Sequence, residues 1–245
     1  HWNRVLIMMR QYELIEKVLS YDADANELLL NKAYVYAMKA HGSQKRDSGD
    51  LYFSHPLEVA AILTEFKLDD ATIATALLHD TVEDTNATLS EIKDIFGDEI
   101  SGLVSGLTKI GKLNLISKET EQAENFRRLI LAISDDVRVL MIKLADRLHN
   151  MRTINYLSDD KKNRIAKETM DIYAPLAGRM GIQSMREELE DLCFEVMNPE
   201  ARSLILNRLS ILSDKSSKIL MEIEQELTEK IKNKGISVKI EGREK

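Results

Sequence analysis

The chain has 245 residues, of which 44% are hydrophobic, so it can bury a core in one large domain or in one domain with an appendage. Its 34 lysines and arginines against 41 aspartates and glutamates give a net charge of −7, which argues against a nucleic-acid-binding or membrane-surface protein. The single cysteine excludes an internal disulfide, and no apolar run approaches the ~20 residues of a membrane span, so we expect a cytoplasmic protein.

Only 3 prolines and 10 glycines interrupt the chain, which favours helices almost throughout and predicts an all-α fold. In chain order, apolar spacing and capping residues predict helices at 27–40, from His55, at 71–80 after the cap Asp69-Asp70, from Thr88 to Gly97, at 136–154, at 161–177 and after Asn198-Pro199. The last helix is long and amphipathic. After it, "ISVKI" (236–240) alternates like a strand without a partner, so we expect the sequence to stop inside the start of another domain.

The segment "LLHDTVEDT" (77–85) places a histidine and three carboxylates directly after an apolar run. If the helix continues, His79 and Glu83 are four residues apart, as are Asp80 and Asp84, and all four project near one helix end. Imidazole and carboxylate groups suit a divalent cation such as Mn²⁺, Fe²⁺ or Zn²⁺. Because two adjacent ligands do not complete a site, other helices must supply more.

Two further segments are candidate suppliers. His55 stands at a predicted helix start, and Asp146 lies in an otherwise apolar helical stretch. Asn150 and Thr153 follow Asp146 on the same helix face. Two cations flank that face and suit phosphate oxygens, namely Lys143 and Arg147.

Each piece of this pattern also has an ordinary structural interpretation. A His-Asp dipeptide is common by chance, and an Asp-Arg pair on a helix is more often a surface ion pair of small worth. His41 and His149 are interpreted by default as structural histidines, and "TVEDT" as a solvated turn. The combination His…His-Asp…Asp on helices is far more specific than any of its pieces.

That combination is typical of the HD-domain phosphohydrolase superfamily. Longer segments resemble the RelA/SpoT homologue family, in the order that this family uses, and the likeness covers roughly residues 25–245. These segments are "SQKRDSGDLYFSHPLEVA" (43–60), "ALLHDTVEDT" (76–85), "GLTKIGKL" (106–113), "QAENFRRLILAISDDVRVLMIKLADRLHNMRT" (122–153) and "RIAKETMDIYAPLAGRMGI" (164–182). The final "VKIEGREK" resembles the lead-in to the family's alarmone synthetase domain.

The resemblance implies an HD-domain helical bundle at 1–196, followed at 197–245 by a helical linker and the start of a truncated synthetase domain. It implies hydrolysis of guanosine 3′,5′-bis(diphosphate), or of the pentaphosphate, at the 3′ position to GDP or GTP and pyrophosphate. One Mn²⁺ ion is the implied cofactor, although Fe²⁺ and Zn²⁺ also accept such ligands. The family's metal ligands fall on His55, His79, Asp80 and Asp146, its catalytic acids on Glu83 and Asp84, and its nucleoside-binding positions on Arg46, Ser48, Asn150 and Thr153.

Two positions depart from the family's wording and bear on substrate affinity. Asp47 follows Arg46 where a basic or small residue is common, and Leu51 replaces a proline in the nucleotide loop. As partners we expect the guanosine tetra- or pentaphosphate and a synthetase domain in cis or in trans, and neither nucleic acid nor membrane. Two alternatives stay open: an HD phosphohydrolase acting on another nucleotide, and a catalytically silent module that binds the alarmone or a partner through the helix at 200–232.

Overall fold

The structure, a computed structural model, describes residues 10–111, 136–233 and 238. Within these residues it is helical and contains no β-strand, so the predicted all-α fold is confirmed. The β-type pairing described there is an isolated antiparallel bridge between Lys45 and Leu51. The strand predicted at 236–240 falls outside the described residues, apart from Val238.

Each helix predicted above is present in the predicted order, and the structure adds helices at 11–19, 81–84 and 183–197. The helices are α1 (Gln11–Leu19), α2 (Glu27–His41), α3 (Ser54–Glu65), α4 (Asp70–Leu78), α5 (Thr81–Asp84), α6 (Leu89–Gly111), α7 (Val137–Arg152), α8 (Asp159–Glu168), α9 (Ala174–Arg179), α10 (Gln183–Met197) and α11 (Pro199–Lys232). A 3₁₀ turn follows α7 at Ile154–Tyr156, and a π-helix at Thr169–Tyr173 joins α8 to α9.

Side chains cap helix starts where the sequence predicts them. Asp69 accepts a hydrogen bond from the backbone N–H of Thr72 at 2.9 Å, at the start of α4. Thr88 accepts one from the N–H of Glu91 at 3.2 Å, at the start of α6. These caps satisfy N–H groups that have no carbonyl partner within their own helix.

The apolar helix α4 ends earlier than predicted. We predict a helix through Asp80, whereas α4 ends at Leu78, and a tight turn at His79 and Asp80 leads into α5. The backbone N–H of Asp84 donates to the carbonyl oxygen of Asp80 at 2.9 Å, so α5 is one further helical turn. As a result, His79 and Glu83 do not lie on one continuous helix.

Two other predicted helix boundaries take a different form. Gly97, where we predict a helix end, has φ 89° and ψ 176°, and α6 resumes after it and runs to Gly111. The helix predicted at 161–177 contains the π-helix as an irregular segment. Such insertions depend on tertiary packing and are frequent at functional sites.

The core is built around α4. Every residue from Ala71 to Leu78 is buried, which explains why this helix has no polar face. It packs against α2 and α3, and α3 packs in turn against α7. A fully buried leucine such as Leu77 contributes about 1.5–3 kcal/mol, so this burial fixes the turn that carries His79 and Asp80.

The chain divides into two compact units, residues 1–197 and 198–245. In the second unit, α11 begins with Pro199 in its first turn and leaves several apolar side chains exposed, among them Leu204 and Leu227. The assignment of these units as a hydrolase domain and a linker stays a prediction. A search of the described helices finds none with the length and apolar character that crossing a membrane requires.

Candidate active site

The four predicted metal ligands come from three places in the bundle. His55 lies in the first turn of α3, His79 and Asp80 occupy the turn after α4, and Asp146 lies within α7. His55, His79 and Asp146 are buried, and Asp80 is half-buried. Ionisable groups are rarely buried together unless they pair with one another or bind a metal ion.

Each aspartate places an oxygen atom near Nε2 of both histidines. Nε2 of His55 lies 3.1 Å from Oδ1 of Asp146 and 3.5 Å from Oδ2 of Asp80. Nε2 of His79 lies 3.0 Å from Oδ1 of Asp80 and 4.0 Å from Oδ1 of Asp146. Two atoms that bind one ion at about 2.1 Å are separated by at most about 4.2 Å. All of these separations are below that limit.

His79 supplies the test of whether these residues fit a metal ion. Its Nδ1 donates to the carbonyl oxygen of Ala76 at 2.8 Å, so the neutral ring turns the lone pair of Nε2 toward the carboxylates. That buried Nε2 has no hydrogen-bond partner, although an oxygen of Asp80 is 3.0 Å away. A lone pair facing carboxylates needs a proton or a cation between them. With His55, these residues form a His-His-Asp group whose ligand atoms lie within 4.8 Å of one another, and it fits a divalent ion.

The charges of the group favour ionised carboxylates. Burial alone would raise their pKa values, yet His79 lowers the pKa of Asp80, and Lys143 lowers that of Asp146. Burial alone would lower the pKa of His79, but the Asp80 carboxylate raises it to about 9. Burial lowers the pKa of His55. The raised pKa of His79 therefore favours its doubly protonated, positively charged ring at neutral pH, whereas the lowered pKa of His55 favours a neutral ring.

Asp146 is held by two of the residues predicted to bind substrate. Lys143 Nζ donates to Oδ2 of Asp146 at 2.6 Å, and Asn150 Nδ2 donates to Oδ1 at 2.6 Å. Asn150 in turn accepts a hydrogen bond from Nη2 of Arg46 at 2.8 Å through its amide oxygen. Asn150 thus links Arg46 to the predicted metal ligand Asp146, and Lys143 contacts the same carboxylate.

The two predicted catalytic acids lie on the short helix α5, and both are exposed. Burial and the Asp80 carboxylate raise the pKa of Glu83. The hydroxyl of Tyr52 lies 2.5 Å from Oδ2 of Asp84 and 3.0 Å from Oδ2 of Asp80, and it donates its one proton between them. Tyr52 therefore links a predicted catalytic acid to a predicted metal ligand.

A pocket of about 520 Å³ lies beside this centre. Ser48, Arg147 and Thr153 line it, as do the other residues predicted to bind substrate, but each of the three already has a partner. Ser48 donates to Asp50 at 2.8 Å, and Thr153 donates to the backbone of α7 at 2.9 Å. Arg147 lies 4.1 Å above the ring of Tyr173 and donates to a carboxylate at 3.2 Å. The pocket therefore presents both cations and hydrogen-bonding groups to a ligand.

Tyr52 and His149 contact the centre although sequence reasoning did not select them. Nδ1 of His149 lies 2.7 Å from Nδ1 of His55, and burial, reinforced by His55 and Arg46, lowers the pKa of His149 to about 2. Spacing carries a signal for both: Tyr52 precedes His55 by three residues, and His149 follows Asp146 by three on one helix face.

A histidine, an adjacent histidine–aspartate pair and a distant aspartate, converging within an all-α bundle, define the class of HD domains. Residues 33–183 match the HD domain family, and the chain belongs to that family.

The chain is also similar to three longer curated proteins. It is 63% identical over 238 residues to the GTP pyrophosphokinase rsh of Brucella ovis, a match that covers 97% of this chain and 32% of that protein. It is 44% identical over 216 residues to the bifunctional (p)ppGpp synthase/hydrolase SpoT of one Escherichia coli strain and to the guanosine-3′,5′-bis(diphosphate) 3′-pyrophosphohydrolase of another. Those two matches cover 88% of this chain and 31% of each protein. The predicted resemblance to the RelA/SpoT homologue family is confirmed, and the chain spans about a third of the length of these relatives.

Proposed function

We propose that this chain is a Mn²⁺-dependent hydrolase that removes the 3′-pyrophosphate from guanosine 3′,5′-bis(diphosphate) or the pentaphosphate, giving GDP or GTP. The observation that carries the proposal is that Nε2 of His55 and Nε2 of His79 each lie 3.0–4.0 Å from oxygens of both Asp80 and Asp146. This group of residues borders a pocket that contains lysine and arginine side chains.

The names of the relatives favour this substrate but do not by themselves choose the reaction. The Brucella ovis protein is named for synthesis, and the two Escherichia coli proteins are named for synthesis and hydrolysis or for hydrolysis alone. The match to the HD domain family and the histidine–aspartate centre support hydrolysis for the part of those proteins that this chain resembles.

We assign the metal to His55, His79, Asp80 and Asp146. When bound, a divalent ion supplies a Lewis acid that polarises a phosphate oxygen and makes water a better nucleophile. The set of two imidazoles and two carboxylates is compatible with Mn²⁺, and also with Fe²⁺ or Zn²⁺.

Glu83 and Asp84 are the proposed proton-handling groups. They are exposed on α5, directly after the ligand Asp80, so solvent water can reach them. The raised pKa of Glu83 makes it a better proton acceptor than an ordinary glutamate. Asp84 is oriented by the Tyr52 hydroxyl at 2.5 Å. In this assignment Glu83 takes the proton of the attacking water, and Asp84 orients that water.

Six side chains are proposed to bind the nucleotide: Arg46, Ser48, Lys143, Arg147, Asn150 and Thr153. Several of these donors already have partners, and the lysine and arginine side chains carry further N–H groups that can bind phosphate or base acceptors. Lys143 has the carboxylate of Asp146 at 2.6 Å, and Arg147 has that of Glu168 at 3.2 Å. A polyanionic ligand can compete for both, because charge-assisted bonds to phosphate are of similar strength.

The domain arrangement and setting follow from the same proposal. Residues 1–196 form the hydrolase domain, and 197–245 form a helical linker that leads into a synthetase domain. The longer relatives, of which this chain spans about a third, support a synthetase in cis. The substrate is a soluble nucleotide, which is consistent with a cytoplasmic enzyme.

The test is a turnover assay on the purified chain with Mn²⁺ and guanosine 3′,5′-bis(diphosphate), in which nucleotide and phosphate products are both identified. We expect GDP and pyrophosphate, and we expect Asp80→Ala and Glu83→Ala to abolish their release. Asp94→Ala removes an exposed acid on α6, outside the pocket, and is expected to keep wild-type turnover. Manganese-loaded protein that folds and releases no product would contradict the proposal.

Two other outcomes of this assay correspond to the alternatives. Orthophosphate release from other nucleotides, with none from the tetraphosphate, would indicate an HD phosphohydrolase of different specificity. Tight binding of the tetraphosphate without turnover would indicate a silent regulatory module.

A further inference from the structure

His149 is a buried histidine whose ring contacts the ring of His55, a predicted metal ligand. Its Nδ1 lies 2.7 Å from Nδ1 of His55, and the two side chains are only 5% and 2% exposed. Two imidazole nitrogens at this distance share one proton, so one of them donates and the other accepts. Which nitrogen carries the proton determines what His55 presents on its opposite side.

Arg46 settles the direction of this hydrogen bond. Its Nη1 lies 3.3 Å from the same Nδ1 of His149, and a guanidinium can only donate. Nδ1 of His149 therefore offers a lone pair, and the proton between the rings belongs to Nδ1 of His55. The neutral His55 ring then has its lone pair on Nε2, which faces Asp146 at 3.1 Å and Asp80 at 3.5 Å.

We propose that His149 is a positioning residue for metal binding: it accepts the Nδ1–H of His55 and so fixes the tautomer and ring orientation that direct Nε2 of His55 to the metal ion. The proposal rests on the metal assignment made under the proposed function. His149 itself touches neither the ion nor the reacting phosphate in this assignment.

His79, the second histidine ligand, is oriented by the same kind of hydrogen bond from Nδ1–H, but to a different acceptor. Nδ1–H of His79 donates to the carbonyl oxygen of Ala76 at 2.8 Å, which can only accept. A metal-bound histidine commonly donates its other N–H to such a partner, and loss of the partner typically weakens metal binding 10–100-fold. His79 is thus oriented by the backbone, whereas His55 depends on a side chain that a substitution can remove.

The contact between His55 and His149 also connects the proposed metal centre to the nucleotide pocket. Arg46 and His149 both line that pocket, and Arg46 donates to His149 and to Asn150. The residue that orients His55 is therefore in contact with a residue proposed to bind substrate.

Two variants separate positioning from packing. His149→Leu has a similar volume but no acceptor, and His149→Asn places an amide oxygen where Nδ1 stands. We expect the Mn²⁺ dissociation constant, measured by electron paramagnetic resonance of free Mn²⁺, to rise 10–100-fold in His149→Leu. In His149→Asn we expect it to stay within about 3-fold of wild type, a rescue that a purely structural role for the ring does not predict.

If His149→Leu does not fold, a measurement on the wild-type chain tests the proposal instead. In the protein loaded with diamagnetic Zn²⁺, which places a cation between Nε2 of His55 and the carboxylates, ¹⁵N-labelled histidines give nitrogen shifts and proton couplings that report which ring nitrogen is protonated. We expect the proton of His55 on Nδ1 and that of His149 on Nε2. The opposite assignment, equal Mn²⁺ affinity of His149→Leu and wild type, or no rescue in His149→Asn would overturn the proposal. Wild-type protein that binds Mn²⁺ but releases no pyrophosphate would refute the proposed function instead, and leave the affinity comparison intact.

Discussion

Metal binding should expel a proton from His79, and this gives a quantitative test of the centre. In the metal-free protein the neighbouring Asp80 carboxylate outweighs burial and raises the pKa of His79 to about 9. At pH 7 only about one molecule in 100 then has the ring unprotonated and free to bind an ion. The proton therefore costs about 2.7 kcal/mol of apparent binding free energy at pH 7. The Mn²⁺ dissociation constant should fall about 10-fold between pH 7 and pH 8 and level off near pH 9.

Isothermal titration calorimetry measures this directly. Titrations at pH 7 in two buffers of different ionisation enthalpy give the number of protons released, and we expect about one per Mn²⁺. His79→Gln serves as the control, because it removes the proton together with the ligand and should bind weakly with no release. A dissociation constant that does not change between pH 7 and pH 8, together with no proton release in the wild type, would refute the proposed electrostatics of the pair.

Three further outcomes follow from the structure. The unfolding free energy of the metal-free protein should be highest near pH 6.5. The raised pKa of His79 adds stability that is lost as pH rises toward 9, and the lowered pKa of His149 makes the folded protein less stable as pH falls below 6.5. Urea unfolding at several pH values above and below 6.5 checks both effects. Tyr52→Phe removes a hydrogen bond to Asp84 worth about 1.5–3 kcal/mol while keeping the ring, so kcat should fall about 10–100-fold; an unchanged kcat would contradict the orienting role. Gly106→Ala places a methyl group 2.9 Å from a side-chain atom of α7 and should lower stability by about 1–3 kcal/mol, which thermal unfolding measures.

Much of the fold was predictable because the sequence patterns are local. The scarcity of proline and glycine and the apolar spacing predict an all-α chain, and Asp69 caps α4 through a contact only three residues away. The break after Leu78 was not predictable, because "HDTVED" is compatible with a continuous helix. The π-helix at Thr169–Tyr173 was also not predicted, although Pro175, which has no N–H to continue the helical hydrogen-bond pattern, stands two residues after its end.

In the candidate site, too, some features could be predicted from the sequence and others could not. His55, His79, Asp80 and Asp146 were predicted together from their pattern, and the structure places both aspartates within 3.0–4.0 Å of the Nε2 atoms of both histidines. Helix spacing places His149 on the same face as Asp146, but its contact with a residue 94 positions away depends on how separate segments pack and could not be predicted from spacing. The same holds for the hydroxyl of Tyr52, which reaches across 28 and 32 positions to two carboxylates.

The central claim is that Asp80 binds the metal ion, whereas Glu83 takes the proton of the attacking water. One paired measurement tests it. Mn²⁺ binding and pyrophosphate release are measured on the same preparations of wild type, Asp80→Ala and Glu83→Ala. We predict one Mn²⁺ per chain in wild type and in Glu83→Ala, with no turnover in Glu83→Ala, and loss of both binding and turnover in Asp80→Ala. Wild-type Mn²⁺ affinity in Asp80→Ala, or wild-type turnover in Glu83→Ala, would contradict the assignment of these residues.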